Sequence, residues 1–283
     1  MGPFGRAAAF SALCAALLPL TMSGPGTPSA MAGGRNAAER PDAGMSPAMS
    51  TALQKAGALS SGHLSVAVLD LDSGASDQYA PSDRVFATAS IVKADILSAL
   101  LLKAQDEGRT LTAPERADAD RMIRVSDNDA ANRLWNRIGG GDGLTRANQR
   151  LGLLATTPGP TWGVTTTTAS DQLELLRAIT TDDSPLTPEN RARLHDLMTR
   201  VQTDQAWGVS AAADPGSVTA LKNGWLPRTA TGLWVVNSIG EVRHDGHRLL
   251  VAVVSDGHRT MDVGVQQVEA AARAATDVVT DSA

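Results

Sequence analysis

The sequence predicts an α+β fold: an antiparallel sheet flanked by helices, with an all-helical subdomain inserted between its two parts. Three observations predict it. Strand-like stretches occur near both ends of the chain, at residues 63–71 and again at residues 218–255. Between them runs a long stretch with helical apolar spacing. An alanine-rich helical stretch at residues 261–279 then closes the chain.

The elements follow in order. Met49, Leu53 and Leu59, with several alanines between them, predict a first helix at residues 47–59. Leu64, Val66, Val68 and Leu69 lie in a strand-like run, and Asp72-Ser73-Gly74 makes the turn after it. A short second strand is expected around Tyr79. Ile91, Ile96, Leu97, Leu100, Leu101 and Leu102 predict a buried helix over residues 90–103. Thr112-Ala113-Pro114-Glu115 offers the next helix a cap and a proline at its first position. Asp127 or Asn128 can cap a helix running to about residue 138. The glycines from Gly139 to Gly143 end it, and residues 144–151 read as another. Two amphipathic helices are expected at residues 168–180 and 187–201, the second opened by Pro188. Strands follow at residues 218–222, 231–242 and 248–255, with Asp245-Gly246 as the hairpin turn between the last two. A site is expected at the seam between the sheet and the helical insert, where clefts form.

The N-terminus reads as a segment outside the fold. Arg6 precedes an apolar run at residues 7–20, Pro19 and Pro25 break it, and Ala30-Met31-Ala32 is a small-x-small cleavage site. These are the marks of a secretory signal peptide over residues 1–32. A membrane-spanning helix needs ~20 apolar residues, more than this run holds. No twin arginine is present. Residues 33–46 read as a leader and residues 47–283 as a single domain, its helical insert at about 90–215. The expected location is secreted or in the cell envelope, with no membrane association after cleavage.

Composition excludes several function classes. The only cysteine, Cys14, falls inside the signal, and Ser11-Ala12-Leu13 before it does not form a lipobox. The mature chain therefore has no disulfide, thiolate nucleophile or cysteine metal site, and its ~250 residues must bury a core large enough to hold it together. Of the 283 residues 42% are hydrophobic and 19% charged, with a formal net charge of −5 and no basic block. That balance, with only 3% aromatics, argues against a nucleic-acid partner. His244 and His247 flank the Asp245-Gly246 turn, which reads as hairpin chemistry before a metal pair; His63, His195 and His258 form no metal-ligand spacing, and no metal or other cofactor is expected. A monomer is expected.

Three segments carry the chemistry. In Ser90-Ile91-Val92-Lys93, Ser90 opens a helix and Lys93 follows one turn later on the same face. A serine hydroxyl attacks only once a base takes its proton, and a lysine serves as base only when burial or nearby positive charge lowers its pKa. Taken alone, this pair reads as a helix cap and a surface lysine. In Ser126-Asp127-Asn128, Ser126 is a hydroxyl that can both give and take a proton, and Asn128 an amide for the Lys93 head and a substrate amide. Asp127 is expected to bond backbone. The segment also caps the next helix, and its pattern continues through Asp129-Ala130-Ala131-Asn132. In Lys222-Asn223-Gly224, a charge at the end of an apolar strand can draw in a substrate carboxylate and hold Lys93 partly deprotonated. Gly224 lets the backbone approach a ligand closely. The backbone N–H groups of Ser90 and Trp225 are the candidate oxyanion donors, each of a kind typically worth ~10²–10³ in rate.

In their order these segments resemble those of class A serine β-lactamases and the penicillin-recognising serine enzymes related to them. The likeness spans roughly residues 49–279 and implies the β-lactamase/transpeptidase-like form of the α+β fold. It implies an acyl-enzyme on Ser90, proton transfer by Lys93 and Ser126, and substrate binding by Asn128, Lys222, Asn223, Gly224 and Trp225. The substrate class implied is a β-lactam, a related amide or a D-amino-acid peptide. A related branch uses Tyr-x-Asn for its second segment. The only tyrosine, Tyr79, precedes Ser90, so that branch does not fit.

Two departures open other readings. Class A enzymes carry a deacylating glutamate on a loop between the second and third segments, yet no Glu lies between Glu115 and Glu174. The corresponding stretch, residues 154–168, holds Trp162 and no carboxylate, and the nearest acids, Asp142 and Asp171, read as helix caps. Asn223 also replaces the family's hydroxyl residue; its amide can donate but is longer and flat, so carboxylate recognition and the preferred substrate are expected to differ from the family's. A D-alanyl-D-alanine peptidase or slowly deacylating penicillin-binding protein is therefore an alternative, and a non-catalytic binding or sensing module on the same scaffold is a further one.

Overall fold

The computed structural model describes residues 46–283. The expected signal peptide, the leader and Cys14 lie outside the described residues. Helix α1 (Pro47–Lys55) is capped by Ser46 and buries Met49 and Leu53. It leads into β1 (His63–Asp70) and β2 (Ser76–Tyr79), then the two-residue strand β3 (Phe86–Ala87). Helices α2 (Val92–Asp106), α3 (Ala113–Arg124), α4 (Asn128–Ile138) and α5 (Gly140–Leu151) follow. After the short β4 (Thr166–Thr167) come α6 (Ala169–Thr180) and α7 (Pro188–Thr199). Strands β5 (Ala220–Pro227), β6 (Trp234–His244) and β7 (His247–Asp256) and the long α8 (Met261–Thr280) complete the chain.

The main sheet has the order β2-β1-β7-β6-β5, every pair antiparallel. Strands from both ends of the chain thus share one sheet, and β5 forms one edge. The side-chain period of two divides β7 between two cores. Leu250, Ala252 and Val254 join a cluster with α2 to α7, whereas Leu249, Val251 and Val253 join one with α1 and α8. This double burial explains the near-continuous apolar run of β7. At α3 a full capping box is present: the Thr112 hydroxyl receives the Glu115 N–H, and the Glu115 carboxylate receives the Thr112 N–H.

Several features differ from expectation. Gly139 (φ 91°) and Gly140 (φ 62°) are both left-handed and mark the break between the helices; α5 starts at Gly140, so Gly141 and Gly143 lie within it. Strand β5 starts two residues late, leaving Val218 exposed, and continues through Gly224 to Pro227 because Asn223 and Gly224 pair with Ser238 and Asn237. Lys222 is therefore an interior strand residue, not a strand end. The pairing of β3 with β4 was not expected: two residues are too few to show alternation.

Candidate functional site

Ser90 lies in a single 3₁₀ turn, Ala89–Ile91, that runs straight into α2. Ala89 is in the left-handed region at φ 47°, an uncommon conformation for a residue with a side chain. The surroundings hold it there. The Thr88 N–H donates to the Thr165 carbonyl at 2.8 Å. From β6 the buried Asn237 amide donates to the carbonyls of Ala87 (2.8 Å) and Thr88 (3.0 Å), while its oxygen accepts the Ser255 N–H. From β5, Gly224 lies so close that a Cβ there would stand 2.7 Å from the Ser90 nitrogen and from the Thr88 oxygen. Sheet, loop and helix all fix this turn.

Lys93, on the first turn of α2, is fully buried. Its Nζ donates to the Ser126 carbonyl (2.7 Å), the Ser126 Oγ (3.0 Å) and the Asn128 Oδ1 (2.8 Å). Burial lowers its pKa to about 7, against a smaller upward pull from the Asp127 carboxylate. Lys222 is also fully buried, and its Nζ donates to the same Ser126 Oγ (3.1 Å) and to the Asn223 carbonyl (2.9 Å). Burial first, and then the charge of Lys93, hold Lys222 well below the usual lysine range. Two lysines from distant parts of the chain thus meet on one hydroxyl.

Ser126 sits between α3 and α4 at φ 55°, a second strained non-glycine residue at the same centre. The next residue stabilises that bend. The Asp127 carboxylate caps α4 through the Ala130 N–H (2.7 Å) and pairs with Arg121. Asp127 therefore bonds backbone, and Asn128 follows as the first residue of α4.

The side chain of Asn223 departs from expectation. It lies opposite Lys222 and Gly224 on β5, by the strand period, and its amide nitrogen donates to the carbonyls of Gln205 (2.8 Å) and Trp207 (2.9 Å). With 1% exposure its donors are spent on backbone, not offered to a substrate carboxylate. Trp225, the next residue on that face, packs against Trp207 with ring centroids 5.9 Å apart.

The 154–168 loop brings no carboxylate to Lys93. It brings Trp162, whose ring centroid lies 4.7 Å from Lys93 Nζ and whose indole N–H donates to Asn132 Oδ1 at 2.8 Å. Asp171 anchors the start of the loop, accepting from the Ala155 N–H and the Thr156 hydroxyl, both at 2.8 Å. Asp142 lies in the first turn of α5. Glu241 is paired with His195 (3.1 Å) and Arg248 (3.0 Å). His247 bonds the buried Asp70, whose carboxylate also receives the Asp72 N–H and the Ser73 hydroxyl. A concavity of about 580 Å³ between α3 and α4 does not include Ser90. Sequence reasoning missed Asn237, and it named Trp162 on the loop without its contact with Lys93.

The model of the β-lactamase enzyme family matches residues 112–281. Among solved structures, PBP-A superposes with a TM-score of 0.71 at 24% identity, covering 83% of this chain and 96% of that one. A PBP-A mutant in its acyl-enzyme complex with penicillin G does so at 25% identity and a TM-score of 0.69, over the same shares. A β-lactamase from Burkholderia vietnamiensis gives 0.71 at 23% identity, over 84% of this chain and 98% of that one. Among curated proteins, the "Putative lipoprotein LppW" of Mycobacterium tuberculosis is 35% identical over 175 residues, 58% of this chain. The match spans about half of that protein, 54% of its length.

Proposed function

The chain belongs to the β-lactamase enzyme family, of the class A-like serine type, and from that premise we propose that it is an exported serine hydrolase. Its Ser90 forms an acyl-enzyme with β-lactams or related amides. One observation carries this reading: Lys93, three residues after Ser90, and Lys222, both buried, converge on the Ser126 hydroxyl.

With its pKa held at about 7, a substantial fraction of Lys93 is neutral near neutral pH. The neutral amine takes the Ser90 proton as Oγ adds to the substrate carbonyl carbon. The N–H groups of Ser90 and Trp225 receive the developing oxyanion. The Ser126 hydroxyl gives its proton to the leaving nitrogen and is reprotonated from Lys93, which restores the neutral amine. Lys222 attracts the substrate carboxylate, Asn128 holds its amide, and Gly224 lets the substrate backbone approach β5. The domain reading, one catalytic domain over residues 47–283 with a helical insert at about 90–215, belongs to this proposal. So does export through residues 1–32. The lipoprotein name of the mycobacterial relative supports an envelope location. No helix among the described residues is long and apolar enough to cross a membrane.

A second reading has its own observation. No carboxylate of the 154–168 loop approaches Lys93, so nothing there activates water for the second half of hydrolysis. This favours a D-alanyl-D-alanine peptidase or a penicillin-binding protein that acylates and stalls. A chromogenic cephalosporin separates these outcomes. Wild type should open the ring in a stoichiometric burst, or with turnover, while Ser90→Ala stays at background; equal background in both removes the proposal.

A further inference from the structure

We propose that Trp162 is a positioning residue for the Ser90 site. Its ring face holds the Lys93 head group, and its turn covers the side from which water would reach an acyl group on Ser90. This rests on acylation at Ser90 as proposed above, and it adds what sets the lifetime of the product.

Three independent contacts converge. Lys93 Nζ already spends its hydrogen bonds on Ser126 and Asn128, and the Trp162 ring stands 4.7 Å away, within cation–π range. Helix α4 serves both groups from one face: Asn128 meets Lys93, and one turn later Asn132 accepts the indole N–H. The turn at residues 162–164 packs directly on the turn at residues 89–91 that bears Ser90. The loop is tied down on either side of Trp162, by the mutual hydrogen bonds of Thr157 with Thr166 and by Thr88 N–H to the Thr165 carbonyl. Trp162 is thus fixed in place over the catalytic amine.

The consequence is chemical. To release an acyl group, water must lose a proton to a base while its oxygen adds to the ester carbonyl carbon. The bond from that carbon to Ser90 Oγ then breaks, Oγ takes up a proton, and the carboxylic acid leaves. Trp162 supplies no base, and it stands beside Lys93, the group that could act as one. It also favours the ammonium form of Lys93, which cannot accept a proton. The charge bearing on Lys93 is Asp127 at the head of α4; Lys222 from β5 shares Ser126 Oγ with it and is itself lowered by the Lys93 charge. The buried Asp95 lies on the same helix, and residues 161–165 carry no charge.

Trp162→Leu keeps an apolar cover but removes the ring face; Trp162→Phe keeps a six-membered ring face and removes the indole N–H together with the five-membered ring that carries it. The chain has only four lysines, Lys55, Lys93, Lys103 and Lys222, so the Lys93 side chain can be titrated by carbon NMR in the unacylated protein. The Lys93 midpoint should fall by roughly 0.5–1 pH unit in Trp162→Leu and stay near wild type in Trp162→Phe. In parallel, the penicillin adduct should disappear severalfold faster from Trp162→Leu. Asn132→Leu, on the exposed face of α4, should shorten the adduct lifetime without loss of fold. An unmoved midpoint overturns the grip on Lys93, and an unmoved lifetime overturns the cover. If wild type takes no adduct, the acylation reading and the cover that depends on it fail together, while the titration still decides the grip.

Discussion

Replacing Gly224 with alanine tests how Ser90 is positioned. The added Cβ would stand 2.7 Å from the Ser90 nitrogen, 2.7 Å from the Thr88 oxygen and 2.8 Å from the Ile91 nitrogen, all backbone atoms with no rotamer to escape into. Ordinary contact begins at 3.4 Å, so β5 and the Ser90 turn must separate by about 0.7 Å. Misplacement on the scale of 1 Å can cost ~10²-fold in rate. Overpacking should also cost roughly 1–3 kcal/mol of stability. Gly240→Ala separates the two effects. On β6 its Cβ would strike the Ala220 carbonyl and Leu221, within the same sheet but away from Ser90. Acylation by a fluorescent penicillin, followed with time and paired with thermal melts, gives both quantities. Both variants should melt lower by a few degrees, and only Gly224→Ala should lose about two orders of magnitude in acylation rate. Wild-type acylation by a folded, destabilised Gly224→Ala protein would refute the idea that β5 places Ser90.

Other predictions follow from the same geometry. Acylation needs neutral Lys93, so its rate should climb with pH and level off above a midpoint near 7. Lys93→Arg, which cannot deprotonate, should lose ~10²–10⁴ of that rate; a flat profile, or an active arginine variant, would contradict the role given to Lys93. Asp95 is fully buried, and burial raises its pKa to about 8, assisted by Asp171 and opposed by Asn148. The folded state then holds a proton that the unfolded state releases between about pH 4 and 8, so stability falls as pH rises through that window, by roughly 1 kcal/mol per unit. Asp95→Asn should flatten the slope of urea-unfolding free energy between pH 5 and 8, and an unchanged slope would count against it. Asn223→Thr removes two buried amide bonds to backbone carbonyls and should cost about 1–3 kcal/mol in the same unfolding assay, whereas unchanged stability would show those bonds to be dispensable.

The fold was legible where periodicity was long. Residues 90–103 and β7 announced themselves through apolar spacing, and the hairpin through Asp245-Gly246. Ser90 and Lys93 were legible because one helical turn separates them, and Ser126 because it opens a recognisable tripeptide. Asn223 misled because its segment was read as the end of a strand. Once β5 extends through Gly224, alternation places Lys222 and Gly224 on one face and Asn223 on the other. Asn237 and Trp162 gave no local signal. Each acts across a long gap in sequence, Asn237 on Ala87 and Thr88 and Trp162 on Lys93. A lone tryptophan among threonines, glycines and prolines has no period to reveal its direction.

The central claim is that Ser90 accepts an acyl group. Intact-protein mass spectrometry after exposure to penicillin, with peptide mapping of the adduct, tests it most directly. Wild type should gain the mass of one penicillin, mapped to Ser90, and Ser90→Ala should gain none. An unmodified wild type, or equal labelling of Ser90→Ala, would contradict it.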